Sequence, residues 1–538
     1  MDNLFTSLNG MQITTHSKNF ATTGQLTPED LNEAANLGFR SIICNRPDCE
    51  GGADQPASAA IHAEAKRLDL EFAYFPVQPD TISENDVRHF ADLLDILPAP
   101  VLAFCRTGNR STKLYQKASA CAARSEVATK CPDITADVVV IGGGSAGIGV
   151  VASLLKRAPD LQITLIEPND QHYYQPAWTL VGGGAYDARK TVRPMSQVIP
   201  RGVTWIKAAV VKALPEGKRL ELNNGKSVAY RNLIVCPGLR LAWEKIEGLE
   251  ETLGKNGVTS NYRYDLCAYT WQLVQGLRKG KALFSQPGMP IKCAGAPQKA
   301  LYLSCDHWQK SGVLQNMQVE FNLAGAVLFG VPAFVPPLMK YIEKYQAHLV
   351  FGSNLVKVDG PSRTAWFESK DEHGAVIRQA KTFDMLHVVP AQVAPDFIRT
   401  SPLADDAGWC EVDPGTLQHS RYPDVFALGD VCSTSNAKTA AAARKQIVVV
   451  AENLMAARGN RPMPLCYDGY GSCPLTVEKG KVVLAEFGYG GKLLPTFPLD
   501  ATVARKSAWF LKARLLPWFY WNGMLKGREW LTSLSKVE

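Results

Sequence analysis

The apolar positions along the chain follow two rhythms. Short continuous apolar runs, SIIC from Ser41, PVLAF from Pro100 and DVVVIG from Asp137, have the pattern of strands buried on both faces. Between them LTPEDLNEAANLGF, SAAIHAEAKRL and SENDVRHFADLLDIL return an apolar residue every three or four positions, the pattern of amphipathic helices. Strands alternating with helices predict an α/β fold built on parallel sheets.

Both rhythms fade between Gln116 and Ala136, where KASACAARSEVATKCPDITA mixes small and charged residues without a firm period. The expected organisation is therefore a small α/β domain over residues 1–116, a linker over 117–135, a larger α/β domain over 136–500 and a distinct tail over 501–538. The longest apolar stretch, LAGAVLFGVPAFVPPLM from Leu323, is interrupted by Pro332, Pro336 and Pro337 and does not read as a membrane span.

Composition changes this picture in three places. A chain of 538 residues, 46% hydrophobic and 20% charged, is neither disordered nor fibrous. Thirteen cysteines, with no charged-then-apolar leader after Met1, argue against a disulfide scaffold and for a reducing cytoplasm. Residues 1–120 carry 10 Lys+Arg against 15 Asp+Glu, whereas residues 501–538 carry 7 Lys+Arg against 2 Asp+Glu and seven aromatic residues. A basic, aromatic tail suits an anionic surface; with no recognition fold beside it, a membrane is expected rather than nucleic acid.

The strand Asp137–Ile141 runs into GGGSAG and then into IGVVASLLKRA, so a G-x-G-x-x-G turn joins a strand to a helix. Gly142 allows the turn, Gly144 admits a pyrophosphate to the backbone with Ser145 and Ala146 beside it, and Gly147 allows helix to pack on strand. Glu167, ending the next strand, is placed for ribose hydroxyls. Downstream, SRYPDVFALGD ending at Asp430 resembles the second FAD fingerprint of two-dinucleotide-domain flavoproteins, and LIVCPG with Gly238 resembles their connecting motif. The cofactor expected is FAD. The central stretch PGMPIKCAGAPQKALYLSC keeps only Gly295 after its strand, and Pro297 removes a backbone donor, so no NAD(P)H site is expected there.

Two cysteines stand where chemistry is expected: Cys293 at a strand end and Cys432 two residues after Asp430. Their separation fits no metal pattern, and both are expected near the isoalloxazine as a catalytic disulfide. Cys44, Cys121, Cys236, Cys267, Cys305, Cys410, Cys466 and Cys473 read as inert small hydrophobes, and Cys131 as incidental.

Residues 136–538 resemble the sulfide:quinone oxidoreductases through HYYQPAWTLVGGG, KCAGAPQKALYLS, FNLAGAVLFGVP, TSPLADDAGWCEVDPGTLQHSRYPDVFALGD, YDGYGSCPL and LLPWFYWNGMLKG. The resemblance implies that hydrosulfide opens a Cys293–Cys432 disulfide, leaving a persulfide on Cys432 and sending two electrons from Cys293 through the flavin to ubiquinone. A thiol such as glutathione then takes the sulfane sulfur. Lys438, Gln446 and His172 fall on positions expected near the flavin, Lys438 either favouring a thiolate or simply solvated. A type-II NADH:quinone oxidoreductase is the rival reading, and it needs the second nucleotide motif.

In the tail Trp509, Phe510, Trp518, Phe519 and Trp521 interleave with Lys506, Lys512, Arg514, Lys526 and Arg528. This suits two interfacial helices broken at Pro517 that dip into the cytoplasmic face of a bacterial inner membrane; a homodimer interface or a core helix is the other reading.

In the first domain the strand PVLAF delivers Cys105 into CRTGNRS, with Arg110 as an anion clamp at a helix start. Tyrosine phosphatases place five residues between such a Cys and Arg; here there are four, the shorter loop of rhodanese-type sulfurtransferases, and Phe104 stands where phosphatases usually have His. TTGQLTPEDL, SIICNRPD and FPVQPDTIS resemble a phosphatase-like bacterial domain. The loop length and the fused partner lead to the expectation that Cys105 relays persulfide sulfur, with a phosphatase or a docking module as alternatives.

Overall fold

The computed structural model describes residues 7–8, 11–52, 54–78, 82–129, 132–532 and 535–536. The chain divides into two compact units, Met1–Cys131 and Pro132–Glu538. Cys131 lies outside the described residues, as does the side chain of Cys121.

The first unit is a five-stranded sheet. Its elements are β1 (Thr14–Ser17), β2 (Phe20–Thr23), α1 (Asp30–Asn36), β3 (Ser41–Cys44), α2 (Ser58–Arg67), β4 (Glu71–Tyr74), α3 (Glu84–Ile96), β5 (Val101–Phe104) and α4 (Asn109–Thr129). The strand order is β1-β2-β5-β3-β4, parallel except for the β1–β2 edge. The central strands β2, β3 and β5 are buried along their whole length, as their continuous apolar runs require. Helix α3 starts at a capping box in which the Ser83 hydroxyl accepts from the Asp86 N–H and the Asp86 carboxylate accepts from the Ser83 N–H. Helix α4 corrects the sequence reading, because it continues to Thr129 through the stretch taken for a linker. That stretch lacks an apolar period but is rich in Ala, Lys, Arg and Glu, whose backbone preference is helical.

The second unit is built around two main sheets. In the first, β6 (Ile134–Ile141) leads into α5 (Ser145–Arg157), followed by β7 (Ile163–Ile166), β8 (Thr204–Ile206), β9 (Val210–Leu214), β10 (Arg219–Leu222) and β11 (Ser227–Val235), in the order β8-β7-β6-β11-β10-β9. The second sheet is parallel throughout and consists of β12 (Val258–Thr259), β13 (Gly280–Gln286), β14 (Met317–Leu323), β15 (His348–Phe351) and β16 (Met385–His387), in the order β12-β16-β13-β14-β15, with α6 (Ala296–Lys310) between β13 and β14. The chain then returns to the first sheet with β17 (Val425–Ala427) beside β11, covers it with α7 (Ala440–Arg458) and forms the hairpin β18 (Gly471–Glu478) and β19 (Lys481–Phe487). These two sheets are the two dinucleotide-binding-type folds the sequence predicts.

The tail departs from expectation. Residues Lys506–Phe510 (α8) and Leu516–Asn522 (α9) are joined by a π-helical turn at Leu511–Leu515, so Pro517 sits in the first turn of α9 and does not break the helical run. Widened turns of this kind accommodate the N–H that proline lacks. Among the described residues no helix is long and apolar enough to cross a membrane.

Candidate active site

The G-x-G-x-x-G turn is built as its spacing requires. Gly142 has φ +103°, and a side chain there would strike the Cys236 carbonyl; one at Gly147 would strike the Gly142 carbonyl. Gly144 faces open space, and α5 begins immediately after it. A cavity of about 340 Å³ opens at this point, lined by Gly144, Ser145, Ala146, Gly238, Asp430, Lys438 and Cys293. Trp178 Nε1, Thr179 Oγ1 and both polar atoms of Asn261 belong to residues that also line it and are buried without hydrogen-bond partners among the described residues. A cleft lined by both an open helix N-terminus and orphaned donors and acceptors fits a dinucleotide carrying a polar-edged aromatic ring.

Three expected residues support this cavity from behind. The Glu167 carboxylate accepts the Gly143 and Asn169 N–H groups at 2.7 and 2.8 Å, and Gln446 Oε1 accepts the Gly429 N–H at 2.8 Å, which fixes the turn before Asp430. His172 links the Gly-rich loop to the tail, with Nδ1 2.8 Å from the Gly143 carbonyl and Nε2 2.6 Å from the Tyr520 hydroxyl. Burial pushes His172 down to about 4, so the ring is neutral: Nδ1–H donates to Gly143, Nε2 accepts from Tyr520, and the Tyr520 oxygen accepts from Ser145 at 2.7 Å.

Cys293 occupies the turn between β13 and α6 with φ +50°, and its N–H donates to the Lys438 carbonyl at 2.8 Å. Its sulfur lies 3.0 Å from Lys299 Nζ and accepts a hydrogen bond from the thiol of Cys473, a residue of β18. The Cys473 hydrogen bond and the Lys299 and Lys512 charges hold the Cys293 thiol well below the ordinary range; the same contact and burial push Cys473 well above it. Both are free cysteines, and the opposite directions of the two shifts favour the charge on Cys293 and the proton on Cys473. Lys512 comes from the tail, where burial and the neighbouring Lys299 push it down to about 7.

Cys432 is not part of this pair. Its N–H turns back to the Gly429 carbonyl, its backbone bridges to Cys410, and its side chain is fully buried near Cys410 and Cys236, with burial pushing it up to about 12. Two residues along a strand would have put it on the Asp430 face; the turn at Gly429 abolishes that alternation. The ammonium of Lys438 donates to the Cys432 carbonyl at 2.8 Å and lies 4.2 Å from the Trp409 ring, so the lysine that meets a thiolate is Lys299. Cys473, read as an inert hydrophobe, and Lys512, read as a cation at lipid headgroups, are instead buried beside Cys293, and Lys299 and Tyr520 escaped the reading of residues. At the start of α6, Gly295 packs against Leu475 of β18.

In the tail, Trp521 is buried under the Arg193 guanidinium, 4.1 Å from its ring, and does not face outward as expected. Phe510 and Trp518 are exposed, and Trp509 and Phe519 are half-buried. Nine of the seventeen exposed large apolar side chains among the described residues lie between Leu493 and Leu531.

In the first unit Cys105 is buried at the end of β5, Gly108 has φ +86°, and α4 starts at Asn109. The backbone N–H groups of residues 106–111 find no acceptor among the described residues. Arg110 Nε and Ser111 Oγ are buried and unpartnered as well.

A protein from Dictyostelium discoideum, "Sulfide:quinone oxidoreductase, mitochondrial", is 40% identical to this chain over 394 residues, covering 73% of the chain and 86% of the relative. The chain belongs to the sulfide:quinone oxidoreductase family. The Mus musculus protein of the same name is 39% identical over 391 residues, with the same coverage. The sequence profile of the pyridine nucleotide-disulphide oxidoreductases matches residues 136–267. The crystal structure of the sulfide:quinone oxidoreductase from Aquifex aeolicus shares the fold, with a TM-score of 0.60 at 18% identity over 74% of this chain and 92% of that one. Sulfide:quinone oxidoreductases carry a flavin and act on sulfide and quinone. The N-terminal unit is matched over residues 12–122 by the phosphatase-like domain of the beta-lactamase hydrolase-like proteins; the Xylella fastidiosa member is 33% identical over 105 residues, 20% of this chain and 24% of that protein.

Proposed function

We propose that the chain is an FAD-dependent sulfide:quinone oxidoreductase whose redox pair is Cys293 and Cys473. The observation that carries this assignment is the Cys293 sulfur on the wall of the dinucleotide cavity, 3.0 Å from Lys299 Nζ and hydrogen-bonded to the Cys473 sulfur. In the oxidised enzyme the two sulfurs form a disulfide. Because the thiol with the lower pKa is the better leaving group, hydrosulfide attacks the Cys473 sulfur. A new S–S bond forms on Cys473, the old one breaks, and its electron pair goes to Cys293, where Lys299 and Lys512 neutralise the charge. A thiol acceptor such as glutathione removes the outer sulfur, and closing the disulfide again releases two electrons. FAD supplies a two-electron carrier between this pair and ubiquinone. Gly142, Gly144, Ser145, Ala146, Gly147, Glu167, Gly238, Asp430, Lys438 and Gln446 hold it or shape the turns that do.

Ubiquinone is reached through the tail: the exposed Phe510, Leu515 and Trp518, beside Lys506 and Arg514, suit insertion into anionic headgroups, here on the cytoplasmic face of a bacterial inner membrane. Cys105 and Arg110 form a second sulfur-handling centre that receives persulfide sulfur and passes it to glutathione. The open N–H groups of residues 106–111 support an anionic ligand there. Mass spectrometry after one equivalent of anaerobic sulfide tests the assignment: a one-sulfur gain on the peptide carrying Cys473 is expected, and a gain on the peptide carrying Cys432 overturns it.

A further inference from the structure

The first unit holds an ion cluster around Arg110 in which Arg46 and Glu50 have no part in the sulfur chemistry proposed above. Glu50 is gripped by two arginines, its Oε2 accepting from Arg46 Nε at 2.8 Å and its Oε1 from Arg110 Nη2 at 2.7 Å. The arginines are the fixed partners: their side chains are 9% and 7% exposed, against 22% for Glu50. Each also has an anchor independent of Glu50, since Arg46 Nη1 donates to Gln25 Oε1 at 2.8 Å and Arg110 Nη1 to the Asn45 carbonyl at 3.0 Å. Glu50 belongs instead to an exposed turn, flanked by Cys49 at φ +63° and Gly52 at φ +80°, and a side chain on Gly51 would strike Arg46. On Arg110, the Nη2 half of one guanidinium edge is held by Glu50 while the Nε half is buried and unpartnered, beside the orphaned Ser111 hydroxyl. The two cations would therefore stay in place if the carboxylate left, and one edge of Arg110 would then offer both donors to a planar anion.

We propose that Arg46 and Arg110 form a carboxylate subsite beside Cys105, that Glu50 fills it as an internal stand-in, and that the sulfur acceptor at Cys105 is a small thiol bearing a carboxylate. The inference rests on the reading of Cys105 as a sulfur-transfer residue. The acceptor displaces Glu50 with its own carboxylate, and its thiolate attacks the outer sulfur of the Cys105 persulfide. An S–S bond forms on the acceptor, the Cys105 S–S bond breaks, and its electron pair returns to Cys105, so no external oxidant or reductant is needed. The side chain of the turn thus selects among thiols by charge, while the open N–H groups of residues 106–111 hold the reacting sulfur.

The test uses the full chain, with thiosulfate as sulfur donor and cysteine, glutathione and their carboxyl esters as acceptors. A one-sulfur mass gain on Cys105, absent in Cys105→Ser, reports the underlying sulfur-transfer reading by itself. The subsite predicts a KM at least about tenfold lower for the acids than for the esters. Glu50→Gln lowers KM for the acids alone, and Arg46→Met raises it for the acids alone. Equal KM values for acids and esters in the wild type, or a fall in kcat for both classes in Glu50→Gln, makes Glu50 a brace for Arg110 and overturns the proposal. If Cys105 takes up no sulfur, calorimetry with S-methylglutathione and its diester decides separately: binding of the acid alone, lost in Arg46→Met, retains the subsite, and no binding removes it.

Discussion

The two cysteines assigned sulfur chemistry both precede a helix, Cys105 directly after β5 and Cys293 in the longer turn between β13 and α6, yet their surroundings are finished in opposite ways. Around Cys105 the loop leaves its N–H groups open, the cations are arginines, and among the described residues their partner is a glutamate. Around Cys293 the helix start is closed by Leu475, the cations are lysines, and the partner is a second thiol. An open cradle with forked guanidinium groups receives and releases an anionic group. A closed turn with compact ammonium charges and a second sulfur stabilises a leaving thiolate and stores two electrons in a disulfide. The strand–cysteine–helix unit alone therefore does not specify a chemistry; what packs on the helix N-terminus does.

The most severe test of this contrast is Cys105→Ser. It should slow persulfide transfer from the full chain to glutathione on the order of 10³-fold and leave flavin bleaching by sulfide unchanged; equal losses in both assays would merge the two centres into one. Next in size is acid stability. His172 and His387 are buried and pushed down to about 4, while in the unfolded chain they titrate near their ordinary value. The unfolded state then binds more protons between pH 6.5 and 4, so stability of the second unit falls as pH drops through that window, by up to about 3 kcal/mol per histidine. Thermal unfolding from pH 7.5 to 4.5 measures it, and His387→Gln should flatten the slope. Lys299→Met should raise the pH midpoint for iodoacetamide alkylation of Cys293 in the reduced enzyme by about one unit; an unchanged midpoint would leave Cys473 and Lys512 as the causes of the lowered thiol pKa. The smallest effect belongs to the tail, where Phe510→Ser with Trp518→Ser should weaken binding to anionic liposomes by about tenfold and leave soluble-quinone turnover intact.

The features legible in the sequence are local ones. The Gly-rich turn, Asp430, Gly238, Cys293, and the Cys105–Arg110 loop each declare themselves within a dozen residues. Cys473 does not, because it meets Cys293 only through the packing of the β18–β19 hairpin on α6, and an alternating strand does not say which face turns to which helix. Cys432 misled because nearness to Asp430 in sequence does not fix where the side chain lies once the backbone turns at Gly429. Trp521 misled for a similar reason: on a helix that is apolar on several faces, composition does not distinguish the lipid side from the side that covers Arg193 and Tyr174.

The central claim is the identity of the redox pair, and the most direct test is anaerobic stopped-flow absorbance of wild type, Cys293→Ser, Cys473→Ser and Cys432→Ser mixed with sulfide and then with decylubiquinone. Flavin bleaching that quinone reverses should persist in wild type and Cys432→Ser and be lost in Cys293→Ser and Cys473→Ser. Loss in Cys432→Ser with retention in Cys473→Ser would contradict the pairing.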